Sequence, residues 1–209
     1  MEIELKLQEL ILRDYDNPFL NETCACGKGK CLVRCRYDGC FQYQTSCREC
    51  FISSHRHNPF HWALEWDTTK NIWVQRDISE LSVKYAIQLG HVHTKNHELC
   101  SGADSIPFTV THTNGIHTTR LRFCCCPDGE DKVMQLLQAK LFPSTPNEPR
   151  SAFTFATLRH FHMHNLQSKC GSFDFILSLR RLTDNIFTFK VPVRILLINL
   201  NIIRALNYL

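Results

Sequence analysis

No stretch of this chain approaches the roughly 18 consecutive uncharged apolar residues that a membrane-spanning helix needs. The most apolar segment, residues 187–209, is broken by Lys190, Pro192, Arg194, Asn199, Asn201 and Arg204. No transmembrane helix is expected. Internal repeats and low-complexity tracts are also missing, which sets aside solenoid and compositionally biased architectures. The opening Met1-Glu2-Ile3-Glu4 has neither the basic start nor the apolar run of a secretion signal. Nor is there a phosphate-binding loop or a nucleophile–base pairing. Charge of one sign is scarce: 24 Lys and Arg against 20 Asp and Glu leave a formal +4, weak grounds for a nucleic-acid partner. What remains is a chain of 209 residues with an ordinary 44% hydrophobic content, enough for one large domain or two small ones.

Cysteine, by contrast, is abundant and clustered. Seven of the twelve cysteines lie between residues 24 and 61: Cys24, Cys26, Cys31, Cys35, Cys40, Cys47 and Cys50. His55, His57 and His61 follow at once. Thiolate and neutral imidazole are the donors of a tetrahedral Zn²⁺ site, and Cys47-x2-Cys50 has a usual ligand spacing. A disulfide framework needs an oxidising compartment, which the N-terminus does not suggest. A single catalytic thiol does not need six neighbours. A segment of this size also buries too little apolar surface to fold unaided, and zinc binding supplies ~10–16 kcal/mol in finger peptides.

In chain order the donors form four pairs: Cys24/Cys26, Cys35/Cys40, Cys47/Cys50, and His55 or His57 with His61. Four pairs suggest two zinc ions in a cross-brace, the first and third pairs on one ion and the second and fourth on the other. That order resembles ZZ and B-box fingers. Asp38-Gly39 suits the tight reversal between Cys35 and Cys40. The spacing is irregular, one residue between Cys24 and Cys26 and four between Cys35 and Cys40. Cys31 is a spare, either replacing Cys26 or simply buried. His55 is preferred to His57 because the gap to His61 leaves room for Asn58-Pro59. Lys28, Lys30, Arg34, Arg36, Arg48 and Arg56 outnumber Asp38 and Glu49 in this segment. They are candidate nucleic-acid contacts or a solvated rim around the metal.

Residues 108–123 read as a β-hairpin around Asn114-Gly115, a type I′ turn signal. That register sets Phe108, Val110 and His112 on one face with His117, Thr119, Leu121 and Phe123. Ser105 then lies opposite Cys124. His117 is seven residues from Cys124, about 23 Å along an extended strand, too far to share a metal. A third zinc site is instead available to His91 or His93 with Cys100, Cys124 and Cys126, against a bland reading as buried thiols and loop histidines. His112 and His117 read as cross-strand packing histidines.

Elsewhere, residues 2–12 suggest a short amphipathic helix before Asn17-Pro18. Three helices are predicted over 130–141, 151–168 and 173–182, the last capped by Ser172. On a helix, only His160 and His164 of the His160-x-His162-x-His164 triplet share a face. With no thiol or carboxylate evident beside them, they read as structural. The fold class expected is α+β, in five parts. These are an N-terminal helix and linker (1–23), a zinc-stabilised cross-brace finger (24–66), and a β region with the hairpin and second cluster (67–128). A helical region (129–185) and a divergent tail (186–209) complete the chain.

Several motifs together resemble a known family. Arg34-Cys35, Cys47-Arg48-Glu49-Cys50, His55 to His61 through Asn58-Pro59-Phe60, and Glu65-Trp66 carry the likeness in the finger. Leu89-Gly90-His91, Thr113-Asn114-Gly115-Ile116-His117, Phe123-Cys124-Cys125-Cys126 and Gln135-Leu136-Leu137 extend it. Phe142-Pro143, Leu166-Gln167-Ser168-Lys169 and Leu182-Thr183-Asp184-Asn185 complete it. In order from Cys24 to Asn185 the sequence resembles the second CxC-like cysteine-cluster domain that accompanies Kyakuja–Dileera–Zisupton (KDZ) transposases. The resemblance implies a zinc-chelating module placed before a metal-dependent, RNase H-like nuclease domain. Because that domain is not seen by Leu209 and the likeness stops near Asn185, we expect a truncated chain whose tail is a gene-model artefact or a decayed end.

The sequence therefore predicts an accessory zinc module of a DNA transposon, nuclear and without chemistry of its own, that helps engage transposon DNA or a transposase or chromatin protein. Neither a membrane nor a small-molecule substrate is expected. A peptide-binding finger unrelated to DNA is the alternative. An enzyme is disfavoured because filled Cys₄ and Cys₂His₂ sets leave zinc no open position for water.

Overall fold

In the computed structural model, the described residues are 2–36, 40, 45–90, 104–127 and 129–191. The fold is mixed α+β, with six α-helices and two sheets among those residues. It divides into two compact units, Met1–Tyr85 and Ala86–Leu209.

The first unit opens with α1 (Glu2–Asp14). A three-stranded antiparallel sheet follows, in the order β1 (Val33–Cys35), β2 (Ala63–Asp67), β3 (Ile72–Arg76). Two short helices, α2 (Arg48–Ser54) and α3 (Ile78–Leu81), accompany it. Its core is small: Val33, Phe51, Ala63, Ile78 and Leu81, with Ile52 and Tyr85 packed alongside. A core of five buried side chains gives limited apolar stabilisation. The boundary expected after Trp66 falls inside the β2–β3 hairpin, where Trp66 pairs with Trp73 and the two indoles meet edge to face at 5.1 Å.

The second unit holds a five-stranded mixed sheet in the order β4 (Ile87–Gln88), β6 (Gly115–Arg122), β5 (Ile106–His112), β8 (Ser151–Thr154), β7 (Leu141–Pro143). Helix α4 (Lys132–Gln138) lies between β6 and β7 in sequence, and α5 (Phe155–Ser168) and α6 (Ser172–Thr183) follow β8. Ile116 and Phe153 from the sheet form one core with Leu158 and Phe161 of α5 and Phe175, Ile176 and Leu179 of α6.

Several sequence expectations change here. The hairpin pairs His112 with Gly115 and Val110 with His117, so its loop is Thr113-Asn114 rather than Asn114-Gly115. Asn114 is not among the residues with positive φ, which rules out a type I′ turn. The shift moves every partner by two positions, and side-chain parity is therefore kept. Gly115 takes φ +141° at the first paired position, a value that suits glycine. His112 and His117 become diagonal rather than direct neighbours, with ring centroids 6.5 Å apart.

Ser151–Thr154 is a strand, not the start of a helix. It pairs parallel with β5 and antiparallel with β7, which places Ala152 and Phe153 in the core. Helix α5 begins only after Thr154, whose hydroxyl accepts from the N–H of Thr157. Helix α4 likewise stops early, and Leu141 joins β7. The N-cap of α6 is Gly171, one residue before the predicted Ser172.

Candidate metal centres

The donor atoms of Cys24, Cys26, Cys47 and Cys50 all lie within 4.8 Å of one another, and so do those of Cys35, Cys40, His55 and His61. Among the described residues, these are the groups of three or more such donors placed to hold one metal ion. Each takes alternate pairs along the chain.

Local structure explains the convergence. Cys47 is the N-cap of α2 and Cys50 sits one turn on, so their sulfurs face the same space. The loop carrying Cys24 and Cys26 is closed by the Cys24 N–H donating to the Gly29 carbonyl (2.7 Å) and the Gly27 N–H donating to the Cys24 carbonyl (2.7 Å). The N–H of Lys28 donates to Cys26 Sγ at 3.4 Å. Gly29 packs directly on the partner pair: a Cβ there would lie 3.0 Å from the Cβ of Cys47. Cys35 ends β1 opposite Ala63, and the Arg36 N–H donates to the Trp62 carbonyl. That pairing draws His61 beside Cys35. His55 is the C-cap of α2. One seven-residue helix therefore links both groups, with cysteines at its start and a histidine at its end.

The separations fit zinc. At Zn–S of about 2.3 Å and Zn–N of about 2.05 Å, tetrahedral angles put two sulfurs about 3.8 Å apart and a sulfur and a nitrogen about 3.6 Å apart. Cys26 and Cys47 sulfurs are 3.6 Å apart. Cys35 Sγ to His61 Nδ1 and Cys40 Sγ to His55 Nε2 are each 3.6 Å, and Cys40 Sγ to His61 Nδ1 is 3.3 Å. The tautomer of His55 is also set. Its Nδ1 lies 3.0 Å from the Phe51 carbonyl, an acceptor that requires Nδ1–H and leaves the Nε2 lone pair facing Cys40. Stacking on Phe51 at 4.0 Å holds the ring. Burial lowers the His55 pKa and keeps the imidazole neutral, the form that binds metal.

Three thiols of the first group are shifted in different directions by their surroundings. Backbone N–H groups of Cys26 and Cys47 hold the Cys24 thiol down at about 6. Hydrogen bonds with Cys26, Cys47 and Cys24 push Cys50 up to about 12, and burial raises Cys47. A divalent cation relieves such a cluster by replacing its protons.

The remaining sequence candidates fall as follows. Cys31 is buried against Cys24 and Cys47 but belongs to neither group; burial raises its pKa. His57 is exposed and stands apart from both. Cys124 is buried and Cys126 half-buried, with the Cys126 N–H donating to Cys124 Sγ at 3.4 Å. His91, His93 and Cys100 lie outside the described residues. Arg34 is withdrawn from the candidate phosphate contacts. Its side chain is 11% exposed and bound to Asp14 at 2.7 Å, and its guanidinium stacks 4.3 Å over Trp73. Arg48 is held by Glu65 at 2.5 Å. Lys28, Lys30, Arg36 and Arg56 are exposed.

Sequence reasoning missed the supports of these sites. Gly29 could have been suspected from its place among the ligands, whereas the Phe51 carbonyl carries no sequence signal. Buried Gln135 also went unassigned. Its amide oxygen accepts from the Cys124 N–H (2.8 Å), while its amide nitrogen donates to the carbonyls of Cys124 (3.1 Å) and Glu130 (2.7 Å).

The fold and its donor groups define a mixed α+β protein built around cysteine clusters that could hold metal ions. Residues 81–187 match the family model described as CxC2 like cysteine cluster associated with KDZ transposases, just over half of the 209 residues. The chain belongs to that family. The match begins beyond both four-donor groups, so the finger motifs lie outside it. No curated protein and no solved structure matches the chain. Among the described residues, no helix is long and apolar enough to cross a membrane.

Proposed function

We propose that this chain is a non-catalytic, zinc-binding accessory module of a KDZ-type DNA transposon, and that residues 24–61 form a cross-brace finger holding two Zn²⁺ ions. The observation that carries this reading is the interleaving of eight donor atoms into two groups at tetrahedral separations. Both groups are complete with protein donors, which leaves no open position for catalysis. Cys124 and Cys126 contribute to a third site with His91 and Cys100. The N–H to Sγ contact at Cys124 is of the same kind as the one at Cys26, which supports this extension. Native mass spectrometry tests it: two zinc ions support the finger alone, three support the further site, and none overturns the reading.

The module acts in the nucleus by engaging transposon DNA, with Lys28, Lys30, Arg36 and Arg56 on phosphates and Arg48 shared with Glu65. Four such contacts give a slope of log affinity against log salt near about −3.6 on duplex DNA. Lys28→Ala should flatten that slope by about 0.9. Absent or salt-independent DNA binding by the zinc-loaded chain removes this role.

A cleft of about 420 Å³ beside the Cys₄ group favours a second reading. Leu32, Trp66 and Val74 line it with Lys30, Arg48 and Glu65, a mixture suited to a peptide side chain. Binding of a transposase or chromatin peptide there would show little dependence on salt.

A further inference from the structure

Helix α5 carries a histidine pair that belongs to neither donor group. His160 and His164 are exposed, stand one turn apart, and bring their Nε2 atoms to 2.9 Å. At metal–nitrogen bonds of about 2.05 Å, two nitrogens about 2.9 Å apart subtend a right angle, whereas tetrahedral geometry spreads them to about 3.4 Å. Right-angled imidazole donors suit a tetragonal ion.

We propose that His160 and His164 form a surface chelate for a tetragonal divalent transition-metal ion of the Ni²⁺ or Cu²⁺ class. The rings are prepared for this. Phe175 of α6, itself buried, meets His160 edge to face at 5.8 Å and lies tilted against His164 at 6.1 Å. His162 takes no part, since its Nδ1 is buried on another face of the helix. When metal binds, the Nε2 proton now shared between the two rings is lost from that position. Both neutral rings then carry their proton on Nδ1 and present Nε2 lone pairs, so no net proton need leave. Water fills the remaining coordination positions.

The test titrates the full, zinc-loaded chain with NiCl₂, chosen because copper would attack the thiolates. One Ni²⁺ per chain is expected, with affinity falling about tenfold or more in His160→Gln and in His164→Gln and unchanged in His162→Gln. Combining His164→Gln with Gln167→His keeps the histidine count but breaks the one-turn spacing, and should not restore binding. Circular dichroism confirms that each variant is folded. Nickel binding that survives both single substitutions, or returns with the displaced histidine, overturns the proposal, as does the absence of binding.

Discussion

Cys40 Sγ stands 3.3 Å from Nδ1 of His61, although 21 positions separate the two residues in the chain. The same sulfur lies 3.6 Å from Nε2 of His55. The two histidines thus offer different ring nitrogens to one group. His55 arrives from the end of α2 and His61 from the approach to β2, and each must turn the nitrogen that reaches the shared point. Metal held there would depend on two independent backbone paths, so loss of any one donor should weaken the site.

Chelation should unfold the first unit. Its apolar core is small, and the metal's share, ~10–16 kcal/mol in finger peptides, has no replacement. Removal of zinc at neutral pH is expected to abolish near-ultraviolet dichroism from Trp66 and Trp73. Cys50→Ser and His61→Ala should each lower the zinc count by at least one. A chain whose spectrum survives strong chelation would refute the structural role of the metal.

Zinc uptake should depend on pH in a predictable direction. Near pH 7.5, Cys24, held at about 6, is already largely ionised, whereas Cys50, pushed up to about 12, and Cys47, raised by burial, keep their protons. Zinc must displace at least these two protons, so affinity at the first group should rise with pH by at least about 100-fold per unit. Below about pH 6, Cys24 also takes up a proton and the dependence steepens. Competition against a chromophoric chelator from pH 6.5 to 8.5 measures the slope.

Gly29→Ala tests the seam between the first loop and α2. The added methyl would lie 3.0 Å from Cys47 Cβ, and relief requires one ligand pair to move. Overpacking of this kind costs about 1–3 kcal/mol, expected as roughly 5- to 150-fold weaker zinc binding. Unaltered affinity would show that the loop yields freely.

Gln135→Ala should destabilise the second unit without touching a donor atom. The side chain satisfies both the N–H and the carbonyl of buried Cys124. Losing it removes a hydrogen-bond partner from each, at about 1–3 kcal/mol apiece. Thermal unfolding should show a loss of about 2–6 kcal/mol, with zinc at the two finger groups unchanged.

Much of the candidate site was readable from spacing because its ligands are local. Cys47-x2-Cys50 places two sulfurs one turn apart, and glycines mark the close turns around Cys24 and Cys26. Spacing prefers His55 to His57 because of the gap to His61, and in the structure His55 joins a donor group while His57 does not. Long-range matters were not readable. Either hairpin loop puts His112 and His117 on one face, so alternation alone could not choose between them. Ser151–Thr154 reads as helix because it runs directly into the helical apolar spacing of Phe155, Leu158 and Phe161, yet β5 and β7 flank the segment and make it a strand. Arg34 reads as a phosphate contact in the sequence, yet Asp14, twenty positions earlier, holds its guanidinium.

Donor chemistry and its order along the chain were settled by the residues themselves, because thiols and imidazoles a few positions apart can meet through local turns. Which nitrogen each histidine presents, and which arginines remain available to a partner, were settled only in three dimensions. Those outcomes depend on distant backbone carbonyls, carboxylates and strand neighbours that no short-range pattern records.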